Sequence, residues 1–139
     1  MKVKKITTTV LTSFVFLLFL QTQSFSQETS KNERWLAPES AKEISNPVEN
    51  NKSSKKKGAA IFKTRCTVCH GDEGRGDGPG GKALNPKPAD FSSEKVQSQT
   101  DGEIFWKITN GKGAMIKWGP ILSDEERWQL VNYVRSLKE

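Results

Sequence analysis

Cys66, Cys69 and His70 fall within five consecutive residues, Cys66-Thr67-Val68-Cys69-His70, and they are both cysteines and the only histidine of a 139-residue chain. Two thiols three positions apart on a helical turn present their sulfurs on one face, and the imidazole follows directly behind them. That spacing suits attachment of a c-type haem, in which the thiols bond to the two vinyl groups and the imidazole takes the iron. Two other chemistries use a Cys-x-x-Cys pair. A structural zinc site needs four protein ligands, and no further Cys or His remains to supply the usual fourth. A redox dithiol of the thioredoxin type follows a strand and opens a helix in a βαβ unit, and no strand-like run precedes Cys66. One covalent haem c held by Cys66, Cys69 and His70 is the reading that uses all three residues.

An iron bound by one imidazole has a second axial position to fill. Of the two methionines, Met1 lies in a segment read below as a removable signal, which leaves Met115 as the sole thioether of the expected mature chain. It sits in Gly111-Lys112-Gly113-Ala114-Met115, a loop between two helical patterns from which a side chain can fold back onto the iron. Methionine also serves as plain core filler. His/Met ligation stabilises the reduced iron, raises its potential and leaves no open coordination position. It therefore predicts one-electron transfer rather than catalysis, with Ala114, Ile116, Trp118 and the Cys66 side of the loop as an apolar contact rim. The alternative is a five-coordinate haem protein with gas-binding or peroxidase-like activity, for which no distal His or Arg pattern is present. The other ring nitrogen of His70 needs an orienting acceptor, expected among the backbone carbonyls of Leu84 to Pro88.

The elements that must position these residues read as all-α. Ala59, Phe62 and Cys66 recur at helical spacing, which predicts a first helix over Lys57 to Cys69. Gly71 to Gly81 carries six glycines and a proline in eleven residues, so it is a loop. Pro86 and Pro88 extend the irregular stretch to Phe91. Thr100-Asp101-Gly102-Glu103 and Ser123-Asp124-Glu125-Glu126 both have the form of a capping box. The first opens a helix that stops at Asn110-Gly111. The second opens a last helix running to about Leu137, with Leu130, Val131, Val134 and Leu137 as its buried stripe, Trp128 and Tyr133 beside it, and Arg127, Arg135 and Lys138 outside. Three to four helices and long loops wrapped around one covalent haem follow, because about 82 residues bury too little apolar surface to be comfortable alone.

Upstream, Met1 to Ser26 has the basic start, apolar core and small-residue frame of a secretory signal. Its apolar run is short for a membrane span, so the expected product is exported, with retention of the segment as an anchor the alternative. Residues 27–57 read as a flexible polar linker. Trp35-Leu36-Ala37-Pro38 is its one apolar spot, followed by a short helical turn through Glu39 to Ile44 and a stop at Asn46-Pro47. Residues 58–139 are the expected functional domain. The whole chain is formally +6, but from Gly58 to Glu139 there are 12 basic and 11 acidic residues, so the excess charge lies upstream. A nucleic-acid partner has little support from that distribution.

These residues resemble the monohaem class I cytochromes c over roughly Gly58 to Leu137. The likeness rests on Cys66-Thr67-Val68-Cys69-His70, the Gly71, Gly74, Gly76, Asp77 and Gly78 loop, Met115, and the ending Trp128-Gln129-Leu130-Val131-Asn132-Tyr133-Val134. It implies first and last helices that cross near a right angle, with Gly58 and Phe62 meeting Leu130 and Tyr133. It also implies haem attachment on the outer side of a bacterial membrane, hence a periplasmic protein. The expected partners are an electron donor and acceptor, met as a free monomeric carrier or as a subunit of a respiratory or dehydrogenase complex. Leu84 to Phe91 and Asp101 to Gly111 are more closely similar to a Bacteroidetes-type subgroup of exported cytochromes. One departure is Ile116, where many relatives carry proline after the axial methionine.

Overall fold

The computed structural model describes residues 35–138. The segment read as a secretory signal and the first part of the polar linker lie outside the described residues. Six helices and no strand occur among those described: α1 (Glu39–Lys42), α2 (Lys52–Arg65), α3 (Thr67–His70), α4 (Glu94–Gln97), α5 (Asp101–Asn110) and α6 (Asp124–Arg135). Three are long and three are single turns, which is the expected all-α arrangement.

Both predicted capping boxes form. Thr100 Oγ1 accepts from the Glu103 amide at 3.2 Å while the Glu103 carboxylate takes the Thr100 amide at 2.7 Å. Ser123 and Glu126 do the same at 3.3 and 2.8 Å. Each pair satisfies two amides that a helix start would otherwise leave open.

The first long helix corrects the sequence reading at both ends. It starts at Lys52 rather than Lys57, because Asn51 and Ser54 make a third reciprocal cap, Asn51 Oδ1 accepting from the Ser54 amide at 2.9 Å and Ser54 Oγ from the Asn51 amide at 3.2 Å. The lysine run read as tether is thus the first turn and a half of α2. It ends at Arg65 because Cys66, at φ −117° and ψ −28°, breaks the helix and α3 begins as a separate turn.

The linker reading fails from Leu36 onward, since those residues belong to one compact unit with the rest of the domain. Its physical cause is Asn132, fully buried on α6. The Asn132 amide donates to the carbonyls of Val48 and Glu49, both at 3.2 Å, and to Ser54 Oγ at 3.1 Å, and its oxygen accepts from Asn46 Nδ2 at 2.8 Å. These hydrogen bonds hold a polar stretch down, beside the apolar contacts made by buried Ala37 and Ala41 and by Val48 against the core.

The most extensive helix contact joins α2 and α6. Gly58 is buried in that contact: a Cβ built there would lie 2.0 Å from the Gln129 carbonyl oxygen and 2.9 Å from Tyr133 Cβ. Only the absence of a side chain permits the approach. Phe62 and Tyr133 rings meet with centroids 5.0 Å apart, and Leu130 joins Phe62 in the same cluster, so the four residues expected at the crossing are those found there.

Two clusters fill the interior. Val96, Ile104, Trp128, Val131 and Val134 form one, with Phe105 stacked on Trp128 at 3.9 Å. Phe62, Trp118, Leu122 and Leu130 form the other. Trp128 is therefore core rather than flank, and Arg127, expected on the outside of α6, is 6% exposed.

Candidate haem-attachment site

Cys66 terminates α2 and caps α3, so both thiols and the imidazole are set by one break in one helix. The turn is tied back by the Cys69 and His70 amides, which donate to the Cys66 carbonyl at 3.2 and 2.9 Å. Both cysteines are free and half-buried; no disulfide joins them. Burial pushes the Cys66 thiol up to about 11, with the neighbouring Cys69 adding to the shift. At neutral pH Cys66 is therefore a protonated thiol.

His70 follows on the same turn. Its Nδ1 lies 3.3 Å from the Ala89 carbonyl. A carbonyl only accepts, so Nδ1 bears the proton in this contact and Nε2 keeps its lone pair for a metal. Burial lowers the His70 pKa against the opposing effect of that hydrogen bond, which favours the neutral ring. Phe91 stacks on the imidazole at 4.4 Å and 21°, fixing its plane. The orienting carbonyl lies one residue beyond the Leu84 to Pro88 stretch expected from sequence.

The glycine loop after His70 closes against α3 through backbone bonds: Gly76 N to His70 O at 2.8 Å, Gly80 N to Val68 O at 2.7 Å, and Phe91 N to Gly74 O at 2.8 Å. The last of these brings Phe91 under the imidazole. A loop too polar to make its own core is organised around the backbone of the attachment turn.

Met115 lies on the loop between α5 and α6. Gly111 and Gly113 take positive φ values of 57° and 59°, and the Met115 amide donates to the Lys112 carbonyl at 3.0 Å, folding the segment into a tight turn. The Met115 side chain is half-buried against the Phe62, Trp118, Leu122 and Leu130 cluster, on which Cys66 and Phe91 also pack. One apolar cluster thus joins a predicted thioether position, the predicted axial methionine, and the ring that stacks on the predicted axial histidine. Of the expected contact rim, Ala114 and Ile116 are exposed, Ile116 at 54%, while Trp118 is 8% exposed and belongs to the core. Val68, at 58%, takes an exposed apolar place on the attachment turn that sequence reasoning missed.

The donor set fits a haem: two thiols, a neutral imidazole with Nε2 available, and a thioether, with Cys66, His70 and Met115 bordering apolar side chains. It does not fit zinc, because no group of three or more His, Cys, Asp or Glu side chains among the described residues is arranged to hold a metal ion.

Comparison with known proteins points the same way. Residues 53–134 match the family model described as cytochrome c oxidase, cbb3-type, subunit III. Over 84 residues the chain is 37% identical to the cbb3-type cytochrome c oxidase subunit FixP of Azorhizobium caulinodans, covering 59% of this chain and 27% of that protein. Among solved structures it is similar to a chain of a reducing HAO-like protein complex from Kuenenia stuttgartiensis, with a TM-score of 0.60 and 32% identity over 67% of this chain and 47% of the other. The chain thus spans about a quarter of the curated relative it matches.

Proposed function

The chain belongs to the cytochrome c family of cbb3-type oxidase subunit III, and we propose that its own task is one-electron transfer through a single covalently attached haem c. The observation that carries this reading is the convergence of Cys66, Met115 and the His70-stacking Phe91 on one apolar cluster. When bound, haem c supplies an iron that passes between its ferric and ferrous states.

In this reading Cys66 and Cys69 hold the porphyrin through their sulfurs. His70 would offer Nε2 to the iron while the Ala89 carbonyl holds its other nitrogen, and Met115 would supply a thioether as the second protein ligand. The clustered side chains Phe62, Trp118, Leu122 and Leu130 exclude water and lower the local polarity, which together with the soft thioether favours the reduced state. Exposed Val68 and Ile116 offer a small apolar surface of the kind that short-lived redox encounters use.

The domain so defined begins at Leu36, with residues 1–26 acting as an export signal that delivers the chain to the periplasm. There it serves as a carrier or as the electron-transferring subunit of a larger redox complex, and another component performs the catalysis. Relatives named as an oxidase subunit and as part of an HAO-like complex support the subunit role.

The test is redox titration of the haem-loaded protein beside Met115→Ala. A reversible one-electron wave is expected, and the substitution should lower its midpoint and open the iron to azide or carbon monoxide. An unchanged midpoint with no added ligand binding refutes the axial role of Met115.

A further inference from the structure

Among the described residues, Arg127 is the buried cation that this chemistry leaves without a task. Its side chain is 7% exposed, whereas its partner Asp124 is 81% exposed. One guanidinium nitrogen donates to Thr109 Oγ1 and another to Asp124 Oδ1. The guanidinium carbon lies 4.7 Å from the centroid of the Phe105 ring, and Nε is buried with no hydrogen-bond acceptor. Burying a charge with one donor unsatisfied is costly, and a well-packed apolar side chain over Phe105 is commonly as stable or better. Stability alone therefore does not account for an arginine here.

Its partners explain it better. Thr109 is the penultimate residue of α5 and Asp124 the first of α6, so the two bracket the whole segment that carries Met115. The same base is laced by backbone bonds from Trp118 N to Ile108 O at 3.2 Å and from Gly119 N to Thr109 O at 3.0 Å. Thr109 Oγ1 donates its own hydrogen bond to the Phe105 carbonyl at 2.8 Å, leaving its lone pairs to the arginine. A planar fork reaches two acceptors at once in fixed geometry, which a lysine ammonium on a flexible stem does not.

We infer that Arg127 is a positioning residue for the Met115 loop, a staple across its two ends that keeps the thioether on the iron against competing ligands. This rests on the axial role proposed for Met115, and the experiment separates the two. In the haem-loaded ferric protein, the weak far-red band of a methionine–iron bond is titrated with added imidazole, and amide hydrogen exchange is followed at Trp118 and Gly119. Losing a charge-assisted hydrogen bond should raise the apparent imidazole affinity about tenfold in both Arg127→Lys and Arg127→Met, with exchange at the two amides quickened to a similar degree. Thr109→Val should reproduce part of the effect and add nothing in the Arg127→Met background.

Unchanged imidazole affinity and exchange in Arg127→Lys overturn the inference, as does a full additive effect of Thr109→Val. Should Arg127→Met not fold, Arg127→Lys and Thr109→Val still decide. If the parent protein lacks the far-red band, or Met115→Ala keeps it, the axial reading fails instead. The exchange rates then continue to report whether Arg127 holds the loop.

Discussion

Gly58→Ala puts the α2 and α6 crossing to a test of sign. In an ordinary helix interior, alanine is favoured over glycine by about 1 kcal/mol, so a Gly58 without a packing role would make the substitution stabilising. The structure demands the opposite. The new Cβ would lie 2.0 Å from the Gln129 carbonyl oxygen and 2.6 Å from its carbon, against a helix backbone that has no rotamer with which to yield. Overpacking costs ~1–3 kcal/mol, and a backbone obstacle places this case at the upper end. Subtracting the propensity gain leaves a net loss of about 2 kcal/mol. Urea unfolding of the haem-loaded protein, followed by far-ultraviolet circular dichroism, reads this as a lowered midpoint at unchanged slope. A midpoint equal to or above the parent's would refute the close crossing.

Two further substitutions probe the parts that sequence reading placed least well. Asn132→Ala should destabilise by about 3 kcal/mol, because it strands the Asn46 amide and three acceptors that Asn132 now serves, and Asn46→Ala should cost only about 1 kcal/mol; equal effects in the same urea assay would count against the buried amide as the anchor. Gly111→Ala should weaken the ferric far-red band and cost about 2 kcal/mol, since its φ is 57° and a Cβ would sit 2.4 Å from the Met115 carbonyl oxygen. Gly113→Ala has the same sign of φ but open space around it, so only the ~1 kcal/mol conformational cost is expected there, and a larger loss at Gly113 than at Gly111 would contradict this geometry.

The capping boxes at Thr100 and Ser123, the glycine loop, and Leu130, Val131 and Val134 of the apolar stripe were legible in the sequence because each is a local device with a fixed spacing, whereas α6 ends at Arg135 and leaves Leu137 half-buried beyond it. The crossing through Gly58, Phe62, Leu130 and Tyr133 was legible only through resemblance, since nothing local says which two helices meet. The start of α2 was not read, because an Asn51 and Ser54 cap is a weaker pattern than Thr or Ser followed by Glu, and four lysines over Lys52 to Lys57 look like solvated tether. Residues 36–51 escaped for a related reason: they are held by a buried asparagine more than 80 positions away and by a few scattered apolar contacts of Ala37, Ala41 and Val48, and neither leaves a periodicity. Arg127 was misplaced by its charge. Its position three residues before Leu130 puts it on the buried side of α6, and only a partner such as Thr109, 18 residues upstream, makes that tolerable. At the site, Cys66, Cys69, His70 and Met115 stand out by composition, as both cysteines, the single histidine and one of two methionines of the sequence. The acceptor for His70 was missed by a single residue, because the fold of the proline-rich loop decides which carbonyl arrives.

The most direct measurement is the intact mass and colour of the protein, purified from a host able to mature such chains, with the peptide around Cys66 to His70 isolated after proteolysis. The expected product is red, heavier than the processed polypeptide by a single haem, with the added mass on that peptide and neither thiol open to alkylation. A colourless protein whose peptide has its unmodified mass and takes up two alkyl groups would contradict the assignment of this chain as a haem electron carrier.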